Sequence, residues 1–278
     1  MKKSKLARLI AAICCFAMLL TACSSNQTSA ESGGDGSTTA DSEKKVLTYA
    51  IGAETTDLST LYMNNSLYCT SKLVYENLVD FDNGEIVPGL AESWEYNDDQ
   101  TELTFHLRQG VTFHNGEPFN AEAVKTNLEH KQSNPSFYSL KGITDIQEIE
   151  VVDEYTITLH YDHPFYAYLQ DFCWPDVNPM SAPEYIIPGD FQTISGVAGT
   201  GPYIYDEYVA GEYTRFVRNE DYWGETPYWD EVIVKYIPDS TSRLQALQTG
   251  EIDMIYGGTL LTYEEYDQAL AMDGIDGQ

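Results

Sequence analysis

The chain has 278 residues, with 44 acidic against 15 basic side chains and a formal net charge of −29. Four of the basic residues (Lys2, Lys3, Lys5 and Arg8) fall in the first eight positions, so the remainder carries about −33. A field of that sign repels nucleic acid and anionic lipid, which excludes phosphate-backbone binders, and it accommodates cationic or zwitterionic ligands.

Behind the basic start, Leu9 to Leu20 is an unbroken apolar run. Its twelve residues fall short of the roughly 20 that span a bilayer and suit the hydrophobic region of a secretory leader. Leu20-Thr21-Ala22-Cys23 resembles the lipobox of bacterial lipoprotein leaders. That resemblance implies removal of residues 1–22 and a thioether from Cys23 to diacylglycerol. The alternative is an uncleaved N-terminal anchor with an incidental cysteine. Residues 23–45 are then a polar tether without aromatic or large aliphatic side chains, unable to fold by burial and spanning roughly 25 Å.

The folded part is expected from Val46 onward. VLTYAIG (46–52) reads as a short buried strand, and a polar, aromatic-dotted loop follows it into a helix around Ser66 to Leu78. In ESWEY, the turn NDDQ and TELTFHLR, the residues Leu103, Phe105 and Leu107 alternate with Thr104, His106 and Arg108, which predicts a hairpin with one buried face. A turn at Asn115-Gly116 precedes a helix capped by Asn120. IQEIEVV and YTITLHY form a second hairpin, and PFYAYLQDF reads as a short helix opened by Pro164. Beyond GTGPY (199–203) come a hairpin, YIYDEYVAGEYTRFVRN, and a strand, EVIVKYI. A helix follows, capped by Asp239 or Ser240, facing the sheet through Leu244 and Leu247 and ended by Gly250. EIDMIYG is then a strand parallel to EVIVKYI, which calls for a crossover pair. Thr262 and Glu265 are spaced as a capping box for a last helix.

This order describes an α/β framework, residues 46–72 with 198–278, interrupted by a β-rich α+β insert at 73–197. Catalytic signatures are missing: there is no H-E-x-x-H, G-x-S-x-G, P-loop or dinucleotide fingerprint. His160 and His163 have a metal-like spacing, but the strand end and Pro164 separate them and no third ligand is local. His106 and His114 flank a turn and are expected to face solvent. Cys14 and Cys15 leave with the leader. Cys69 and Cys173 lack metal-ligand spacing; an exported chain could pair them, though two buried thiols is the reading adopted here.

Two stretches carry a resemblance. VPGLAESWEYNDDQTELTFHLRQGVTFHNGEPFNAEAV (87–124) and the run from GTGPYIYDEY through RNEDYWG and IPDSTSR to TGEIDMIYG (199–257) closely resemble the family-5 extracellular solute-binding proteins. These are peptide-, nickel- and opine-capturing receptors of ABC importers. The RNEDYWG and DMIYG runs stand nearest the nickel-binding branch. The resemblance implies a bilobed, Venus-flytrap fold of the periplasmic-binding-protein kind, of which this chain holds the first lobe with its insert, the second lobe being absent. It implies no catalytic residue, no metal ligand and no cofactor. It also implies a permease and ATPase as partners, and a place on the outer face of the cell membrane, lipid-anchored, or in the periplasm. The loop after the first strand would line the cleft with Tyr62, Asn64 and Tyr68, and the segment CWPDVNPM would add Trp174, Asp176 and Asn178. In the nickel branch an arginine is expected in that segment; here there is none, and an acidic wall suits an amine such as a peptide N-terminus. A sensing lipoprotein of the same fold, or a surface hydrolase, would be the competing readings.

Overall fold

The computed structural model describes residues 44–55, 58, 60, 69–164, 167–174, 178–190, 195–257 and 261–277. The leader, Cys23 and the tether up to residue 43 lie outside them, as do Tyr62, Asn64, Tyr68 and Asp176.

In chain order, β1 (Val46–Ile51) buries its last three residues and α1 (Ser71–Val74) is a single turn. The helix expected from Ser66 to Leu78 thus ends four residues early. The carbonyls of Asn77 and Leu78 accept from Leu90 and Ala91, which draws this backbone out of helical pairing. β2 (Val79–Asp82) and β3 (Glu85–Pro88) form a small hairpin. β4 (Ala91–Tyr96) and β5 (Glu102–Leu107) pair antiparallel with Trp94 opposite Phe105. Asn97 shapes their turn, its side-chain oxygen accepting from the amides of Thr101 and Glu102.

Helix α2 (Ala121–Ser133) starts where Asn120 caps it, accepting from the Ala123 amide at 3.0 Å. After α3 (Lys141–Thr144), β6 (Ile146–Asp153) and β7 (Thr156–Tyr161) make the second hairpin. The helix expected at Pro164 is a 3-10 turn, Tyr168–Cys173. This turn packs on Gly142, whose amide donates to the Asp171 carboxylate at 2.7 Å. A Cβ on Gly142 would stand 2.4 Å from the Tyr168 carbonyl oxygen.

β8 (Tyr203–Val209), β9 (Tyr213–Arg218) and β10 (Glu231–Tyr236) follow, then α4 (Ser240–Thr249). Asp239, rather than Ser240, caps α4, and Gly250 ends it at φ 72°, a left-handed conformation that costs glycine little. β11 is only Met254–Ile255, and α5 (Tyr263–Leu270) carries the complete capping box of Thr262 and Glu265.

Three sheets result, in the orders β11-β1-β10-β9-β8, β2-β3 and β4-β5-β7-β6. The crossover expectation needs correction: β10 and β11 are parallel but not adjacent, because β1 lies between them and pairs with both. The four-stranded sheet buries Leu103, Phe105, Leu107, Ile157 and Leu159 against Val124 and Leu128 of α2. Phe105 meets Phe172 edge-on at 5.2 Å between centroids. Burying a large apolar side chain is worth about 1.5–3 kcal/mol, so this layer is a principal source of stability. The five-stranded sheet has its own cluster around Tyr49, Ile51, Phe216, Val232 and Val234, and α4 covers Ala50 and Ile252 with Ala246 while Leu244 is buried beside it. Cys69 and Cys173 are free thiols, the first only part-buried.

Candidate functional site

The parallel strands β1 and β10 end together, Ile51 opposite Tyr236. Open α/β sheets bind ligands beyond the carboxyl ends of such strands, and the chain leaving β1 there is held at four places. Glu54 accepts from the Tyr208 hydroxyl at 2.6 Å and the Gly211 amide at 2.7 Å. These donors hold the Glu54 carboxyl below its usual range, and the carboxylate in turn pushes Tyr208 up to about 12. The Tyr236 hydroxyl reaches the Thr55 carbonyl at 3.5 Å. Tyr75 donates to the Leu58 carbonyl at 2.7 Å, and Tyr49 to the Cys69 carbonyl at 2.6 Å. Burial raises the Tyr49 pKa far above the tyrosine range, so its hydroxyl keeps the proton it donates. Four tyrosines from the sheet and from behind α1 thus anchor Glu54, Thr55, Leu58 and Cys69. Tyr62, Asn64 and Tyr68 fall between Leu58 and Cys69 in sequence and lie outside the described residues.

The second segment is held differently. Residues 178–182 make a buried run bonded at each step. Met180 donates its amide to the Glu76 carbonyl, Ser181 exchanges two bonds with the Asn127 side chain, and Ala182 donates to the Ala198 carbonyl. This base is tied to Trp174, whose carbonyl accepts from the Asn178 amide at 2.9 Å. Trp174 is 56% exposed, so its indole is free to meet a ligand. Asn178 is 0% exposed. Its amide nitrogen donates to the Asp171 carbonyl at 3.3 Å and its oxygen accepts from Lys131 Nζ at 3.1 Å, so its side chain braces the backbone at Asp171 from within.

Where the two sheets meet, Glu76 accepts three neutral donors: Thr200 Oγ1 at 2.8 Å, Tyr222 at 2.7 Å and Trp223 Nε1 at 2.7 Å. Burial raises the Glu76 pKa against the lowering effect of these donors. The RNEDYWG run is therefore a junction motif, and Arg108 stacks on its Trp223 at 4.3 Å. Gly199 and Gly201 lie against Val74, where a Cβ would come to 2.0 and 2.7 Å of its carbonyl oxygen. His114, expected in solvent, instead clamps this contact. Its Nε2 lies 2.9 Å from the Gly201 carbonyl and its amide donates to the Gly199 carbonyl, and burial lowers its pKa.

His160 and His163 sit among carboxylates. His160 faces Glu102 through Nδ1 at 3.5 Å and Glu150 through Nε2 at 3.0 Å, so its partners take opposite nitrogens rather than converging on one point. His163 contacts Asp162 and lies 3.8 Å from Asp145. Among the described residues no three His, Cys, Asp or Glu side chains are grouped to hold a metal ion.

Sequence reading missed the tyrosine anchors, Glu76 and Lys131. Glu76 could have been noticed as the one charged residue inside the largely apolar run LVYENLV. Lys131 follows Val124, Asn127 and Leu128 at helical spacing on the buried face of α2. The anchors leave no such pattern, because a hydroxyl that binds a distant backbone carbonyl imposes no periodicity.

The family model for bacterial extracellular solute-binding proteins, family 5 Middle, matches residues 85–276. The nickel-binding periplasmic protein of Escherichia coli (strain K12) is 36% identical over 205 residues, covering 71% of this chain and 38% of that protein. Among solved structures, NikA from Brucella suis in complex with Fe(III)-EDTA is 32% identical with a TM-score of 0.78. That likeness covers 83% of this chain and 47% of the other. The periplasmic binding protein DppA from Helicobacter pylori, in complex with the peptide STSA, is 28% identical with a TM-score of 0.70, covering 83% and 49%. The chain spans less than half the length of these relatives.

Proposed function

This chain belongs to family 5 of the bacterial extracellular solute-binding proteins, and on that premise we propose that it forms one wall of a receptor that captures a small solute for an ABC importer. The fold is α/β of the periplasmic-binding-protein kind. Residues 46–72 and 198–278 would be the framework of the first lobe and 73–197 its insert, a division supported by the membership of the five- and four-stranded sheets. Cys23 would carry the lipid that holds the receptor at the outer face of the membrane. The protein acts by binding and closure, not by catalysis: a ligand bridging two walls stabilises the closed form that the permease engages.

The observation that carries this reading is the anchoring of Glu54, Thr55, Leu58 and Cys69 by four tyrosines where the chain leaves the carboxyl ends of β1 and β10. That is the place the fold reserves for a ligand. Tyr62, Asn64 and Tyr68 would contact the solute from this loop, with Trp174 and Asp176 from the second segment and Asn178 supporting them. Asp176 and the absence of arginine from residues 173–180 favour a cationic end, such as the ammonium of a short peptide, over an anionic metal chelate.

Calorimetry with dipeptides, tetrapeptides and nickel–histidine tests the proposal, on residues 1–278 and on a chain extended to the relatives' length. The extended chain should bind a peptide, and Trp174→Ala should weaken binding at least tenfold without lowering the melting temperature, since the indole is exposed. Tight binding by residues 1–278 alone would overturn the two-wall mechanism, because one wall cannot desolvate a ligand. A preference for nickel–histidine would overturn the role given to Asp176. Cys23→Ala should move the protein from the membrane to the soluble fraction, and continued membrane attachment would point to an uncleaved anchor.

A further inference from the structure

Lys131 is 1% exposed, and among the described residues it forms no ion pair. Its Nζ donates to two neutral acceptors, Asn178 Oδ1 at 3.1 Å and the Pro179 carbonyl at 2.7 Å. An apolar side chain of the same length would fill this space without desolvating a charge. What it could not do is satisfy two buried oxygens that have left water. We propose that Lys131 is the positioning residue for Trp174, setting through Asn178 the backbone at Asp171 and Trp174 from which that exposed indole departs, and holding it more tightly as an ammonium than as an amine.

The path is short and continuous. Asn178 takes Lys131 on its side-chain oxygen, grips the Asp171 carbonyl with its side-chain nitrogen, and donates to the Trp174 carbonyl with its backbone amide. Asp171 and Trp174 bracket the end of the 3-10 turn Tyr168–Cys173, so the asparagine fixes both sides of the indole's point of departure. Rotation of the Asn178 amide on losing the charge-assisted bond to Nζ would release the Asp171 carbonyl, and the chain at Trp174 would shift with it. Burial alone lowers the Lys131 pKa to about 7, which places the change of bond strength in the neutral range.

Other titratable groups surround this path. His130 neighbours Lys131 on α2, Glu76 binds Met180 through its carbonyl, and Asp171 and Cys173 lie in the 3-10 turn, where Asp80 and Lys72 act on Cys173. Elements packed on α2 carry Lys141 on α3 with Asp145 just after it, Glu148, Glu150 and Asp153 on β6, His160 and Tyr161 on β7, and Glu184 and Tyr185 in the turn Pro183–Tyr185. The variants below separate Lys131 from all of these. For the ligand, the consequence rests on the proposed role of Trp174 in the cleft; the positioning itself is read without any ligand.

The protein has four tryptophans, so fluorotryptophan labelling gives a fluorine NMR spectrum in which Trp174 is assigned by its loss in Trp174→Phe. Between pH 5.5 and 9 the Trp174 resonance should titrate with a midpoint near neutrality. It should be flat in Lys131→Met, and also in Lys131→Arg, which stays charged throughout and should hold the low-pH position. A resonance that ignores pH in the parent protein overturns the proposal. So does a titration that persists in Lys131→Met, or in Lys131→Arg should the methionine variant not fold. Because no solute is added, such a failure would leave the receptor reading standing, and a failed calorimetric panel would leave this one.

Discussion

The four-stranded and five-stranded sheets use similar residues but close over very different distances along the chain. In the first, β4 meets β5 and β6 meets β7 across short turns, and the alternation of Leu103, Phe105 and Leu107 alone decides which face is buried. In the second, β1 pairs with β10, where Val46 stands opposite Glu231, and it also separates β10 from β11. Closing a long loop costs entropy before any contact rewards it. The four-stranded sheet should therefore assemble from its own hairpins. The five-stranded sheet depends on the junction at Glu76, where RNEDYWG and GTGPY bring its later strands onto Val74 and Tyr75.

The largest effect should come from Phe105→Ala, which empties the centre of the locally built sheet and should cost about 3–5 kcal/mol in chemical denaturation. A loss below about 1 kcal/mol would show that this layer does not rest on its hairpin alternation. Leu244→Ala, on the buried face of α4, should cost somewhat less, about 2–4 kcal/mol, since helix and sheet edge can partly collapse onto the gap. An equal or greater cost would place the stability of the molecule in the long-range sheet instead.

Trp223→Phe deletes one donor to Glu76 and keeps most of the ring. It should cost about 1–3 kcal/mol and loosen amide exchange in β8 to β10 before it does so in β4 to β7. Uniform loosening would show that the junction does not couple the sheets unequally. The smallest effect concerns Glu265, which accepts from the Thr262 amide and from Ser240 and Thr241, so tying α5 to α4. These donors hold its pKa down to about 2. With a folded pKa below the unfolded one, the stabilisation is complete above the unfolded value and disappears as pH falls through about 2. Glu265→Gln should therefore lower stability modestly at neutral pH and flatten the acid limb of the helical circular dichroism, the difference from the parent protein disappearing as pH falls. A difference that grows instead as pH rises above neutrality would rule this link out.

What the sequence disclosed follows the same division. Caps and turns at Asn120, Asp239, Gly250 and Thr262 are local chemistry and were legible at their residues. The place of β1 between two later strands was not, because VLTYAIG states that a strand is buried and not what it lies beside. The 3-10 turn before Cys173 was hidden for a related reason: it takes its shape from Gly142, distant in the chain. For the candidate site, Trp174 is exposed, whereas Asn178 lies beneath the surface, engaged by a lysine whose charge suggests solvent although its helical spacing puts it on the buried face of α2. Ligand residues are hard to read because a binding wall need not follow any period.

Three of the tyrosine anchors hold the loop after β1 by backbone carbonyls, at Thr55, Leu58 and Cys69. Every amino acid offers the same carbonyl. The three hydrogen bonds at Thr55, Leu58 and Cys69 are thus indifferent to the side chain carried at each, although Leu58 is also fixed by its place in the core. Such anchors belong to the tyrosines of the scaffold rather than to the side chains they grip, so at Thr55 and Cys69 a substitution can be absorbed with the hydrogen bond intact.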